Sequence, residues 1–160
     1  MPKPLKRHPA LIPLSQDHHF GLLLCWKIRA GFKNRVGIER IRNYLNYFFR
    51  EHLENHFRLE EELLFVYLAK KDLLREDVEF QHSQLRTLFA NLSESTEVHE
   101  VDFLRFSDEL EKHIRFEERI FFPYIQAELQ EKKLEDFKES LDQVHQKVVE
   151  VWTDEFWVKK

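Results

Sequence analysis

Cysteine occurs once, as Cys25, so the chain cannot form an internal disulfide; this suits a reducing compartment, and a cytoplasmic location is expected. Only three glycines and five prolines occur in 160 residues, which leaves little of the turn chemistry that a β-sheet protein needs. No apolar run approaches the ~20 residues of a bilayer-spanning helix; "LLLCW" is among the longest. The basic start, "MPKPLKRHP", lacks the apolar stretch of a signal peptide. A basic excess is also missing: the net charge is -4, so no cationic face for nucleic acid is expected. Neither a membrane nor a nucleic acid is therefore an expected partner. What the chain does have is 34% charged and 42% hydrophobic residues, rich in Glu, Leu, Lys and Arg, the profile of an all-α protein. Its length suits a single domain with a sizeable core, in which the fifteen phenylalanines would pack.

Residues 1–13 read as an irregular arm, since prolines at 2, 4, 9 and 13 discourage a helix. Ser15 is the expected N-cap of a first helix that Gly31 would end. A second helix is expected over about 38–69, with Ile41, Leu45, Phe48, His52, His56, Glu60, Leu63 and Tyr67 three or four residues apart. A third spans about 75–92 (Val78, His82, Leu85, Phe89, Leu92) and a fourth about 101–130 (Phe103, Phe106, Leu110, His113, Glu117, Ile120, Tyr124). Pro123 should kink the fourth or break a hydrogen bond in it. The stripe Leu141, Val144, Val148, Val151 and Trp152 predicts a fifth helix over about 134–157. Short connections between long amphipathic helices predict an antiparallel up-down four-helix bundle over about 15–130, with the C-terminal helix packed along or across it. Residues 14–160 would form that one domain.

One phrase occurs twice: "HFRLEEELLF" from His56 and "HIRFEERIFF" from His113. Its His-x3-Glu spacing is weak by itself. Nine histidines and 21 glutamates in 160 residues produce about one such pair by chance, and on a helix surface the pair is an ordinary i,i+4 contact. The argument rests on burial. His56, Glu60, His113 and Glu117 lie in apolar stripes, as do His82 on the third helix and His18 on the first, in phase with Leu22 and Cys25. Counting ~1.5 Å per residue from the turns puts these side chains within about one helical turn of a common level. No lysine or arginine falls in phase to pair every carboxylate, and unpaired buried carboxylates cost several kcal/mol each. A metal ion, or two, removes that cost. Histidine nitrogens and carboxylate oxygens suit iron, manganese or zinc; two carboxylates from opposite helices can bridge two ions while histidines fill terminal positions.

"SQDHH" in the first helix, "HFRLEE" in the second, "EFQHSQL" in the third and "HIRFEERIFFP" in the fourth resemble the hemerythrin family in its broad HHE cation-binding branch, from Leu14 to about Gln130. The resemblance implies a four-helix bundle around two non-haem iron ions, with zinc or manganese as substitutes. Carried over by motif, the metal ligands would be His18, His56, Glu60, His82, His113 and Glu117, with Glu60 and Glu117 bridging. Oxygen-carrying members have a second histidine four residues after the one in the third helix, where this chain has Arg86. One ion is then under-coordinated or takes another ligand. His52 could be that ligand, or could hydrogen-bond a carboxylate; Glu61 is another candidate, and His19 competes with His18. His8, His99 and His145 fit no constellation, His145 reading as a fifth-helix interface residue. Glu61, Glu118, Arg58 and Arg115 read as outward-facing.

The function this implies is binding or sensing of a small diatomic, oxygen or nitric oxide, or of iron. The alternative is a di-iron enzyme of oxidative or nitrosative stress, turning over peroxide or nitric oxide or delivering iron for cluster repair. A third reading is a structural bundle whose site holds zinc or no metal. Oligomeric state is not legible.

Overall fold

The computed structural model describes residues 6–159, and among these it contains five helical runs and no strand. Helix α1 is Ile12–Lys33; α2 covers residues 38–67; α3 is Leu73–Glu94; α4 covers residues 100–128; α5 is Glu131–Val144. Contacts set the first four in alternating directions. Asp17 meets His56, and Lys27 meets Tyr44, so α1 and α2 are antiparallel. Glu61 meets His82 and Phe49 stacks on Phe89, so α2 and α3 are too. His18 reaches Glu117 while Arg29 reaches Asp108, which closes the bundle between α1 and α4. The expected all-α up-down bundle is the observed architecture.

Helix ends follow local chemistry. Pro13 lies in the first turn of α1, where its missing N–H costs nothing. Ser15 is not the N-cap: the helix starts four residues earlier than that cap requires, and the Ser15 hydroxyl donates instead to Glu118 at 2.8 Å. Gly31 does not end α1. It is buried inside the helix, and a Cβ there would stand 2.9 Å from both Ile41 Cδ1 and the Phe156 ring, so glycine permits a close crossing. The actual stop is a Schellman turn, in which Val36 N–H donates to the Gly31 carbonyl and Arg35 N–H to that of Phe32. It places Arg35 at φ 58, the left-handed region that favours glycine. Asp72 caps α3 by accepting from the Arg75 backbone N–H at 2.9 Å.

Two of the runs are not regular α-helix. Within α2, π-helical turns occupy Phe49–Leu53 and Glu60–Leu64; within α4, one occupies Glu117–Phe121. The last lies just before Pro123, where a helix interior would otherwise need a proline N–H, and so accounts for the expected irregularity. The α2 turns have no proline beside them. Each copy of the doubled phrase therefore opens a π turn at its first glutamate. Such turns concentrate at functional sites.

The fifth helix is shorter than its apolar periodicity predicts, ending at Val144 rather than near 157. The reason is reach. His145 is tied to Asp17 near the start of α1, and the Trp157 carbonyl accepts from Asn34 at its end. Those α1 positions are about 26 Å apart along a helix, whereas twelve residues from 145 to 157 would cover only about 18 Å if helical. An extended chain covers the distance with slack. The segment forms a strap along α1 and α2. Glu150 takes Lys27 at 2.8 Å and the Tyr44 hydroxyl, Trp152 stacks on Tyr47, and Phe156 is buried in the core. Val149 and Val151, apolar by sequence, are exposed.

Of the expected N-terminal arm, residues 1–5 lie outside the described residues. Beyond them Arg7 crosses to α4, donating to the Glu118 carbonyl at 2.7 Å, and His8 pairs with Glu131 at 3.0 Å. The core divides into two apolar halves. One is built around Leu24, Phe57, Phe103 and Phe106, the other around Leu14, Phe65, Phe121 and Phe137. Between them lies a layer of buried polar side chains.

Candidate metal centre

That layer consists of His18, His56, Glu60, His82, His113 and Glu117, all six buried and both carboxylates wholly so. Their donor atoms form two groups, His18–His56–Glu60–Glu117 and Glu60–His82–His113–Glu117, with all atoms of a group within 4.8 Å of one another. The two glutamates belong to both groups. Each group adds one histidine pair, with ring centroids 4.8 Å apart for His18–His56 and 5.0 Å for His82–His113.

Each imidazole has one nitrogen committed and one aimed inward. His18 Nδ1–H donates to Glu118 at 2.8 Å, His56 Nδ1–H to Asp17 at 2.9 Å, His82 Nδ1–H to Glu61 at 2.7 Å, and His113 Nδ1–H to Gln81 at 2.6 Å. Those bonds fix the tautomer and leave every Nε2 lone pair pointing into the layer. The chain repeats this wiring. Asp17-His18 on α1 corresponds to Gln81-His82 on α3, and His56-Glu60-Glu61 on α2 to His113-Glu117-Glu118 on α4. Within each equivalent pair of helices the residue before one histidine holds the other, while the second glutamate of each phrase crosses to the neighbouring helix. Glu61 and Glu118, expected to face outward, are instead these partners.

The inward atoms are short of partners. Nε2 of His56, His82 and His113, both oxygens of Glu60 and Oε2 of Glu117 are buried without a hydrogen bond among the described residues. Yet the separations are small: His56 Nε2 to Glu60 Oε1 and His18 Nε2 to Glu117 Oε1 are both 3.0 Å, His113 Nε2 to Glu117 Oε1 is 3.1 Å, and His82 Nε2 to Glu60 Oε1 is 3.4 Å. Two donors bound at right angles to one ion by bonds of about 2.1 Å stand about 3.0 Å apart. The nitrogen and oxygen donors thus fit a pair of cations in type, number and spacing.

Electrostatics agree. Burial lowers the proton affinity of His82, but the carboxylates of Glu60 and Glu61 outweigh it and hold the group up at about 9. Burial likewise opposes charge on His18 and His56, and their carboxylate neighbours again prevail, raising both. His113, whose outer partner is the uncharged Gln81, has its value lowered by burial. Glu117 would be raised by burial; the facing histidines and Glu60 hold it well below the ordinary carboxylate range. The carboxylates thus raise the proton affinity of His18, His56 and His82 against burial, while that of His113 is lowered.

The remaining sequence candidates fall outside both groups. His19 is exposed and His52 is half-buried against Tyr47 and Phe48, its Nε2 unpartnered. Arg86, at the position of the extra histidine of oxygen carriers, turns outward and clamps Glu61 and Glu54 at 2.8–3.0 Å. The two halves consequently have equal donor sets. His145 is no mere interface residue: its Nε2 contacts both oxygens of Asp17 at 3.0 Å, extending the chain from His56 through Asp17 to the strap. Sequence reasoning missed Asp17, Gln81 and His145; the dipeptides DH and QH before equivalent histidines were the available signal.

An antiparallel helical bundle enclosing a paired histidine–glutamate cluster defines a cation-binding protein of the hemerythrin type. The family model of the Hemerythrin HHE cation binding domain matches residues 16–125, and the chain belongs to that family. No curated protein and no solved structure gave a match. No helix among the described residues is long and apolar enough to cross a membrane.

Proposed function

We propose that the protein binds two non-haem iron ions, with His18 and His56 on one, His82 and His113 on the other, and Glu60 and Glu117 bridging, and that this centre binds or senses oxygen, nitric oxide or iron. The observation that carries the reading is the set of buried inward donors, most of them unpartnered, gathered in two groups that share both glutamates, with the atoms of each group within 4.8 Å of one another. Two imidazoles and two shared carboxylates offer each ion four protein donors, which leaves positions for a small exogenous ligand on an ion that prefers six. A bound iron pair would supply redox-active Lewis acidity at those positions. The chain's own residues orient the imidazoles through Asp17, Gln81, Glu61 and Glu118, and the two apolar halves of the core limit water at the site. Zinc or manganese would suit the same donors.

Metal analysis of purified protein tests the reading. About two ions per chain are expected, falling below one in Glu117→Ala; full loading of that variant would remove Glu117 from the set, and an empty wild type would defeat the proposal. Azide added to the oxidised iron form should produce charge-transfer absorption if a position is open.

A further inference from the structure

Two cavities border the histidine layer, and the internal repeat makes them equivalent. One lies between α1 and α2, against Asp17, His52 and His56; the other lies between α3 and α4, against Gln81, Glu109 and His113. Asp17 corresponds to Gln81, His52 to Glu109 and His56 to His113, so the two clefts are the same place in the two halves of the bundle. They differ in what covers them. The strap lies over the first: Val148 forms part of its wall, His145 grips Asp17 at its edge, and its volume is about 10 Å³. No equivalent segment among the described residues covers the second, whose volume is about 230 Å³.

We infer that the α3–α4 cleft is the route by which a hydrated divalent cation reaches the centre, and that the C-terminal strap closes the equivalent route between α1 and α2. This rests on the metal-binding reading above. At about 30 Å³ of liquid volume per water, the open cleft holds about eight waters, room for a hexahydrated ion, whereas the strapped one holds at most a single water. Its lining also suits a cation. Asp77 and Glu109 have no ion-pair partner among the described residues and outnumber the one lysine of the lining, Lys112, while Gln84 offers an amide oxygen that can replace a hydration water. The inner wall is His113 itself, 2% exposed, whose Nδ1 is held by Gln81 at the cleft and whose Nε2 faces the layer behind it. A cation that sheds water in this cleft meets the His82–His113 half first and can pass to the other half across the shared Glu60 and Glu117.

The test is the rate at which metal-free protein takes up cobalt(II), followed by stopped-flow absorbance, with cobalt content measured at the end. Gln84→Trp, which fills the cleft and replaces none of the six inward residues, is expected to slow uptake at least tenfold and to reach the wild-type endpoint. Asp77→Asn with Glu109→Gln, both at the cleft and neither fully buried, should slow uptake severalfold and flatten its dependence on salt. Val148→Gly, which loosens the strap over the other cleft, should open that second route and raise the rate. Wild-type uptake rates in a folded Gln84→Trp protein, or in the double variant should Gln84→Trp not fold, would overturn the inference, as would an unchanged rate in Val148→Gly. A wild type that takes up no cobalt and no iron would instead defeat the metal-binding reading, and this route with it.

Discussion

The outer partners of His56 and His113 are an aspartate and a glutamine in otherwise equivalent positions, and exchanging them tests how the centre is tuned. Asp17 accepts from His56 at 2.9 Å and from His145 at 3.0 Å; Gln81 accepts from His113 at 2.6 Å. A carboxylate accepting from Nδ1–H makes Nε2 a stronger donor than an amide does, because the charge-assisted bond is about twice as strong. Loss of such an outer partner changes metal affinity by about 10–100-fold. Asp17→Asn keeps one acceptor oxygen and removes the charge, so the lower end applies: the tighter of the two binding constants should weaken about tenfold, or about 1.4 kcal/mol. The same change leaves two imidazole donors competing for one oxygen, so the His145 anchor should weaken as well. Gln81→Asp is the reciprocal substitution and should tighten the weaker constant by a similar factor. Competition titration of zinc or cobalt against a chelator of known affinity measures both constants. If neither variant moves a constant, or both move them in the same direction, outer-partner charge does not set affinity here.

Metal binding should oppose the pH response of the metal-free protein. The raised value of His82, about 9, contributes stability that is complete below the ordinary imidazole value of ~6.5 and lost as pH rises through about 9. Cations displace those protons, so the melting-temperature gain on adding zinc should grow across the same window; a gain that shrinks would contradict the assignment of protons to these imidazoles. Arg35→Gly relieves a left-handed backbone on an exposed residue and should stabilise the protein by about 1 kcal/mol, read as a midpoint shift in urea. Gly31→Ala forces a methyl to 2.9 Å from Ile41 and Phe156 and should destabilise by about 1–3 kcal/mol, read the same way. An unchanged midpoint would show that the strap simply moves aside.

The helical runs and the six inward residues were legible because burial imposes the 3.6-residue period, and a polar residue that keeps that period is conspicuous. His82 and His18 stand out by phase alone. The outer partners were not legible by the same rule. Glu61 lies five residues after His56, about 140° around a regular helix, which reads as a flank; its role comes from His82 on another helix, and the π turn at Glu60–Leu64 alters the spacing locally. Periodicity describes one helix at a time and is silent on what the neighbour presents.

The same limit explains the misread C-terminus and gives it a consequence. Val144, Val148, Val151 and Trp152 keep helical spacing, but a segment's conformation is also set by where its ends are held, and those ends are held on α1 by Asp17 and Asn34. A helix too short to join them yields to an extended strap that reaches both. The strap breaks the equivalence of the two halves, since among the described residues α3–α4 has no such cover. Donor sets alone would make the two proposed metal positions interchangeable. The difference between them arises outside the layer, in Asp17 against Gln81 and in a covered cleft against an open one, so an asymmetry in affinity or access should trace to those features and survive any change that leaves them intact.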